Sequence, residues 1–281
     1  MALKELSAQV QEAILAEQQR AFSPELAFLT GESDTAFFPG CSMMAHDAAL
    51  VMRVWRYLAT IYPGLALCTC CCGGHSAYVG LDKYFERSSQ IRQMLDKGGV
   101  KRLIVCCPNC RGLFSHFKGL EVITVWQVLD EHPPRFQSVP ADIPRYFLHD
   151  PCPARQDTAS QDQVRRLLQR AGFPYEEMTL SRQKTVCCGR KHMLHLRDPQ
   201  TAEKLRQLSL SQLKGRYLIC WCFSCCASFS QAGCRCLHPL EIAFPDPRHP
   251  FEPFCRSEEE GWRQRQLLSL LAGDLSDGAQ L

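Results

Sequence analysis

Cysteines at repeated spacing are the residues of this chain best placed to do chemistry. A single cysteine, a Cys-Cys-Gly step and a Cys-x-x-Cys pair follow one another twice. The first copy is Cys41, Cys71-Cys72-Gly73 and Cys107-Pro108-Asn109-Cys110; the second is Cys152, Cys187-Cys188-Gly189 and Cys222-Phe223-Ser224-Cys225. Successive landmarks lie 30 to 35 residues apart in both copies, which are offset by 111 to 116 residues. This is an internal duplication. A Cys-x-x-Cys pair suits tetrahedral zinc and iron–sulfur equally. The vicinal pair discriminates, because adjacent side chains of an extended chain point to opposite sides. That is awkward for one ion and natural for two irons of a polynuclear core. Five cysteines per copy also exceed the four that zinc or an ordinary cubane takes. The pattern predicts one iron–sulfur cluster per copy. Two zinc sites, or one zinc shared by the two Cys-x-x-Cys pairs, are the alternative. There is no C-x2-C-x2-C-x3-C run of the ferredoxin kind.

The elements that must position these sulfurs can be read from their flanks. Short apolar runs precede the landmarks: Thr35 to Phe38 before Cys41, Leu103 to Val105 before Cys107, Tyr146 to Leu148 before Cys152, and Tyr217 to Ile219 before Cys222. Each reads as a buried strand. Helical periodicity fills the gaps, over Ala48 to Thr60, Tyr84 to Leu95, Gln163 to Ala171 and Pro199 to Leu213. Alternating strands and helices predict an α/β fold of two duplicated Rossmann-like lobes with mostly parallel sheets. Cluster sites would then lie at the strand carboxyl ends, where open α/β sheets bind ligands. Cys107, Cys110, Cys222 and Cys225 also precede helical patterns, and a helix N-terminus lowers the pKa of a nearby thiol.

The expected organisation is an N-terminal helical extension over 1–34, a first lobe over 35–131, a linker over 132–144, a second lobe over 145–245 and a C-terminal tail over 246–281. The linker is marked by Pro133, Pro134, Pro140 and Pro144. Residues Met1 to Arg20 carry Leu3, Leu6, Val10 and Ile14 at helical spacing and are rich in Glu and Gln, unlike a secretory signal. A second amphipathic helix is expected around Trp262 to Leu271. A cytoplasmic location is expected, and in a reducing compartment dense cysteines more often mean metal than disulfides. The net charge of +3 and the charged fraction of 22% speak against a nucleic-acid clamp. No apolar run reaches membrane length, the longest candidate being around Leu267 to Ala272. No G-x-G-x-x-G or Walker-type loop occurs, so electrons would have to come from a partner.

The remaining cysteines read as small buried hydrophobes: Cys68, Cys106, Cys226, Cys234, Cys236 and Cys255. Cys70 belongs to a triplet from which Gly73 selects Cys71 and Cys72. Cys220 competes with Cys222, but only Cys222 stands at x-x spacing from Cys225. His75, two residues after Gly73, is a candidate proton donor. His149, in His149-Asp150-Pro151-Cys152, is a candidate donor to a ligating sulfur or else a packing residue. Arg190 and Lys191 follow the second Cys-Cys-Gly and could bind an anionic substrate or an acidic partner, or simply open a solvated helix.

Taken as phrases, Phe38-Pro39-Gly40-Cys41, Cys71-Cys72-Gly73, Val105-Cys106-Cys107-Pro108-Asn109-Cys110, His149-Asp150-Pro151-Cys152 and Cys187-Cys188-Gly189 resemble the cysteine-rich CCG domain family. That family is typified by the B-type catalytic subunit of heterodisulfide reductase. The resemblance covers about residues 35 to 245. It implies a noncubane [4Fe-4S] cluster in each lobe. The ligands would be Cys41, Cys71, Cys72, Cys107 and Cys110 in the first, and Cys152, Cys187, Cys188, Cys222 and Cys225 in the second. In the heterodisulfide reductase case the paired clusters face each other and split a disulfide. The function implied is an iron–sulfur oxidoreductase subunit that reduces or forms a disulfide or thiol substrate, with its electrons exchanged with an iron–sulfur or flavin protein partner. An electron-transfer subunit of a larger dehydrogenase, without its own substrate site, is the second expectation. A structural zinc protein is the third. The Arg190-Lys191-His192 run departs from the small residues that many family members carry there, so the substrate does not transfer with the motif.

Overall fold

All four strands expected before the cysteine landmarks form, each extended by one residue at most. Parallel strands covered by helices on both faces lose all solvent contact, which explains why they read as uninterrupted apolar runs. The computed structural model describes residues 6–31 and 33–277, and two compact units emerge within them. Leu3 lies outside the described residues.

The first unit begins with helix α1 (Ala8–Ala21), strand β1 (Leu29–Thr30) and strand β2 (Thr35–Phe38). Helices α2 (Cys41–His46) and α3 (Ala48–Ile61) lead to β3 (Ala66–Cys68). Then come α4 (Leu81–Lys97), β4 (Arg102–Val105), α5 (Pro108–Phe114) and β5 (Glu121–Thr124). The sheet order is β1-β3-β2-β4-β5, with β1 antiparallel to β3 and the other pairings parallel. Phe37, Leu67, Leu103 and Ile104 in its central strands are fully buried.

The second unit runs Trp126–Arg256. It comprises most of α6 (Val125–Glu131), then β6 (Tyr146–His149), α7 (Thr158–Arg170) and β7 (Tyr175–Glu177). Helices α8 (Leu194–Arg197) and α9 (Pro199–Leu210) precede β8 (Tyr217–Cys220), α10 (Phe223–Gln231), β9 (Arg235–Leu237) and α11 (Pro239–Ala243). Its four strands are all parallel, in the order β7-β6-β8-β9. Apart from β1, the two sheets share one winding: the second strand lies outside the first, then the third and fourth follow on the other side. The duplication read from the cysteines is a duplication of topology. The last helix, α12 (Glu258–Asp277), packs on α2 and α3 of the first unit.

The division between units falls after Val125, ahead of the linker expected over 132–144. Residues 132–145 do carry neither helix nor strand. The reason α6 sorts with the second unit is side-chain packing. Buried Trp126 meets Trp221 edge-on at 6.1 Å, and Asp130 takes a bidentate pair of hydrogen bonds from Arg166 of α7. Short strands were not all foreseen. β1, β3, β5, β7 and β9 have two to four residues each, too few for alternation to show.

A buried ion pair secures the end of β6. Asp150 is fully buried and accepts from Arg165 Nη1 and Nη2 at 3.1 and 2.8 Å, from Trp221 Nε1 at 2.9 Å and from the Arg182 backbone N–H at 2.7 Å. Burial alone would raise its pKa, but the Arg165 guanidinium outweighs that and holds the carboxyl below the usual range. Arg165 in turn binds Glu177 of β7 at 2.7 Å. Removing Asp150 strips the buried Arg165 of one of its two carboxylates and leaves the Trp221 Nε1–H and the Arg182 N–H without their acceptor. Asp150→Ala is expected to cost about 3–5 kcal/mol in urea-induced unfolding; a loss below about 1 kcal/mol would show that Arg165 finds other solvation.

Candidate metal centre

In each sheet the order reverses between the first and third strands of the copy, and the crevice beyond the carboxyl ends at that switch is where open α/β sheets take ligands. The repeated cysteines sit there. In the first copy Cys41 opens α2 just after β2. Cys71 and Cys72 lie in the loop after β3. Cys107 is the N-cap of α5, directly after β4, with Cys110 in the first turn. The second copy repeats this: Cys152 follows β6, Cys187 and Cys188 lie between β7 and β8, and Cys222 caps α10 with Cys225 in its first turn.

The thiols of each copy interact in an unbroken order. In the first, Cys41 engages Cys71, Cys71 engages Cys72, Cys72 engages Cys110 and Cys110 engages Cys107. In the second the order is Cys152, Cys187, Cys188, Cys225 and Cys222, with the Cys225 thiol 3.3 Å from the Cys188 sulfur. All ten cysteines of the duplicated pattern are thereby gathered, five to a copy. Among the described residues, no group of three or more His, Cys, Asp or Glu side chains is spaced to hold a metal ion as it stands. The sulfurs form two linear chains of thiol–thiol interactions.

Burial and these interactions redistribute the thiol protons. Cys72 is pulled down to about 6 because Cys110 and Cys71 donate to it, which outweighs burial. Cys71 accepts from Cys41 yet donates onward to Cys72 in a buried setting, and is pushed up to about 12. In the second copy Cys187 is pulled down to about 2, first by Cys152 and Cys188, then against burial by the backbone N–H groups of Lys191 and Gly189. The Gly189 N–H stands 3.3 Å from the Cys187 sulfur. Cys222 falls to about 7 through Cys225 and the N–H groups at the start of α10, despite burial. Cys41, Cys110, Cys152 and Cys225 are all raised, chiefly as donors to neighbouring thiols and by burial.

Two glycines make the turn possible. Gly73 and Gly189 both have left-handed φ, +73° and +88°, where only glycine is unstrained. A Cβ on Gly189 would stand 2.8 Å from the Ala202 carbonyl oxygen of α9, and one on Gly73 2.9 Å from Arg87 Cβ of α4. Each Cys-Cys-Gly step is thus pressed against a helix and turned. The vicinal sulfurs interact with each other instead of diverging, which corrects the expectation drawn from an extended chain. A linear order of five thiols in each copy stands in place of alternating sulfurs.

A model of the cysteine-rich CCG domain matches residues 35–115 and 146–230, the two stretches that carry the quintets. The chain belongs to the CCG family. Membership suggests an iron–sulfur protein of the oxidoreductase type. No curated protein matches the chain. Among solved structures, an aspartate racemase homologue from Pyrococcus horikoshii aligns with TM-score 0.32 and 9% identity over 86% of this chain and 99% of that one. A glutamate racemase from Bacillus anthracis aligns with TM-score 0.32 and 10% identity over 85% and 92%. Likeness this slight bears on neither fold nor function.

Outside the CCG repeats, two helices frame the first quintet. Gln18 of α1 is buried, points its Nε2 at the Cys71 sulfur from 3.8 Å and accepts from Ser76 Oγ at 3.3 Å. A polar residue on the buried stripe Ile14, Gln18, Ala21 was the sequence signal for this role. Arg265 of α12 is buried beside Trp262, 4.5 Å from its ring, and its charge favours the anionic forms of Cys41 and Cys71. Trp262 packs with Ala21 and Cys71. Nothing in the spacing of the cysteines pointed to α12.

The remaining cysteines separate cleanly. Cys70 turns to Cys68 at 3.6 Å. Cys220 interacts with Cys226 and Cys236 instead of the quintet, and Cys106 and Cys234 are buried. Cys255 is exposed, which corrects its expected place in the core; it lies in a segment without helix or strand ahead of α12. His149 is buried edge-on to Phe229, with no hydrogen-bond partner for either ring nitrogen among the described residues, and burial lowers its pKa to about 4. It is a neutral packed imidazole at pH 7. His75 is exposed in the turn Gly74–Tyr78. Arg190 donates to Gln231 at 2.7 Å, whereas Lys191 and Cys187 line a cavity of about 770 Å³ in the second unit.

The proton distribution predicts a reactivity order. In the reduced protein freed of metal by a chelator, Cys187 and Cys72 are expected to be alkylated first by iodoacetamide, since only thiolates attack and neither residue is fully buried. As pH falls through about 6 the rate at Cys72 drops with its thiolate fraction, while Cys187, with a pKa of about 2, keeps reacting. Peptide mass spectrometry reads both rates. Equal loss at the two sites on acidification would refute this proton arrangement.

Proposed function

We propose that the chain is an iron–sulfur oxidoreductase subunit that holds one [4Fe-4S] cluster per CCG copy, of the noncubane type. Cys41, Cys71, Cys72, Cys107 and Cys110 would bind the first, and Cys152, Cys187, Cys188, Cys222 and Cys225 the second. The observation that carries this is the chain of five interacting thiols at the switch point of each sheet. Donor number, softness and order suit an iron–sulfur core. When bound, such a cluster supplies a redox couple and an iron that stabilises a sulfur anion.

The chain's own residues prepare for that group. Cys72, Cys187 and Cys222 are already biased to thiolate, the form that ligates metal. Cys222 sits where the backbone N–H groups of Ser224 and Cys225, at the start of α10, reach its sulfur. Arg265 offsets part of the negative charge beside Cys41 and Cys71. The substrate we infer is a disulfide or its thiols. Reducing a disulfide consumes two electrons and two protons and yields two thiols. The electrons would come from an iron–sulfur or flavin protein partner, and the reverse reaction would return them to it. The cavity that reaches Cys187 favours this reading over simple conduction, because a conduit needs no room for a ligand. Among the described residues no helix is long and apolar enough to cross a membrane.

Anaerobic purification with iron and acid-labile sulfide analysis is the test. About eight irons and eight sulfides per chain are expected. Cys71→Ser or Cys187→Ser should lose about half of both, and Cys255→Ser none. A colourless protein with stoichiometric zinc would end the proposal. Addition of dithiothreitol to the oxidised protein should change its electron paramagnetic resonance spectrum; an unchanged spectrum across a panel of thiols and disulfides would leave only electron transfer.

A further inference from the structure

The cavity beside Cys187 has a composition of its own. Arg155, Lys184, Lys191 and Arg197 line it, against the single carboxylate of Asp198. Asp198 is already committed as the N-cap of α9, accepting from Thr201 N–H at 3.0 Å and Thr201 Oγ1 at 2.8 Å. Two of the Arg155 N–H groups hold the Thr185 carbonyl at 3.0 and 2.7 Å, so that guanidinium is fixed at the wall. Leucines 205 and 208 supply an apolar side, and Leu208 remains 47% exposed. A volume of about 770 Å³ is within the range of small-molecule sites.

The rim is a backbone feature that is costly to build. His192 and Met193 are consecutive non-glycine residues with left-handed φ, +54° and +55°. A residue with a Cβ is strained in this conformation, and strain of this kind gathers at ligand sites. The strained pair immediately follows Lys191, whose backbone N–H is turned to the Cys187 sulfur.

We infer that this cavity binds an organic anion with an apolar body, held by Lys184, Lys191 and Arg197 against the leucine wall and beside Cys187. The inference deepens the redox proposal by naming the substrate class of the second copy's site, and it rests on that proposal only for the identification of Cys187 as a cluster ligand. Concave cationic surfaces concentrate anions, and the apolar wall selects those with a hydrocarbon portion. Arg190 is outside this recognition because it does not line the cavity and donates to Gln231 instead.

Isothermal titration of the full chain, purified anaerobically, tests this with 4-phenylbutyrate, phenyl phosphate and the neutral 4-phenylbutyramide. Both anions should bind, with the amide at least tenfold weaker. Lys184→Gln/Lys191→Gln should weaken the anions at least fivefold, and so should Arg197→Gln. Lys214→Gln, outside the cavity, should change nothing. Raising the salt from 50 to 500 mM should weaken the anions and leave the amide unaffected. Equal binding of amide and anion, or unchanged anion binding by the double variant, would overturn the inference. Iron and sulfide measured on the same samples separate the two claims. Anion binding by a protein without iron would sink the redox proposal and leave the cavity assignment standing; a fully loaded protein that binds no anion would do the reverse.

Discussion

Gathering five thiols in one buried pocket is an electrostatic problem before it is anything else. A buried thiol resists ionisation, and a second thiolate beside the first resists more strongly. The protein meets this by ordering the sulfurs so that each donates to the next. Negative charge then settles where neighbours and backbone N–H groups can share it. In the second copy it settles on Cys187, and in the first on Cys72. The rest of each unit follows from this need: parallel strands that deliver three loops to one edge, and helices whose first turns face it.

The two copies solve the problem with different means. The second draws on its own loop, where Gly189 and Lys191 turn their N–H groups to Cys187. The first brings in groups from outside the repeat, Gln18 from α1 and Arg265 from α12. Duplicated topology therefore does not mean equivalent surroundings. One site has a buried cation against its cysteines and the other a cationic cavity opening from them.

Much of the fold could be read beforehand, and for a local reason. Central strands such as Thr35–Phe38 and Tyr146–His149 are buried along their whole length, so every residue is apolar or nearly so and the run stands out. The outer strands did not stand out. Glu121–Thr124, Tyr175–Glu177 and Arg235–Leu237 mix charge with short length, and they are strands because a neighbour with a free edge lies alongside. The helix ends moved by a few residues: Leu81 to Lys83 extend α4 ahead of the periodic stretch, with Asp82 in the first turn complementing the helix dipole.

By itself the sequence determined the two cysteine quintets, their duplication and the mostly parallel α/β fold that carries them, since residue type and spacing are properties of one dimension. Only the tertiary structure decided which sulfur holds the charge, and that α1 and α12 close on the first quintet while a cationic cavity opens beside the second. Those outcomes depend on distances between residues far apart in the chain and on burial from water, and no local pattern encodes either.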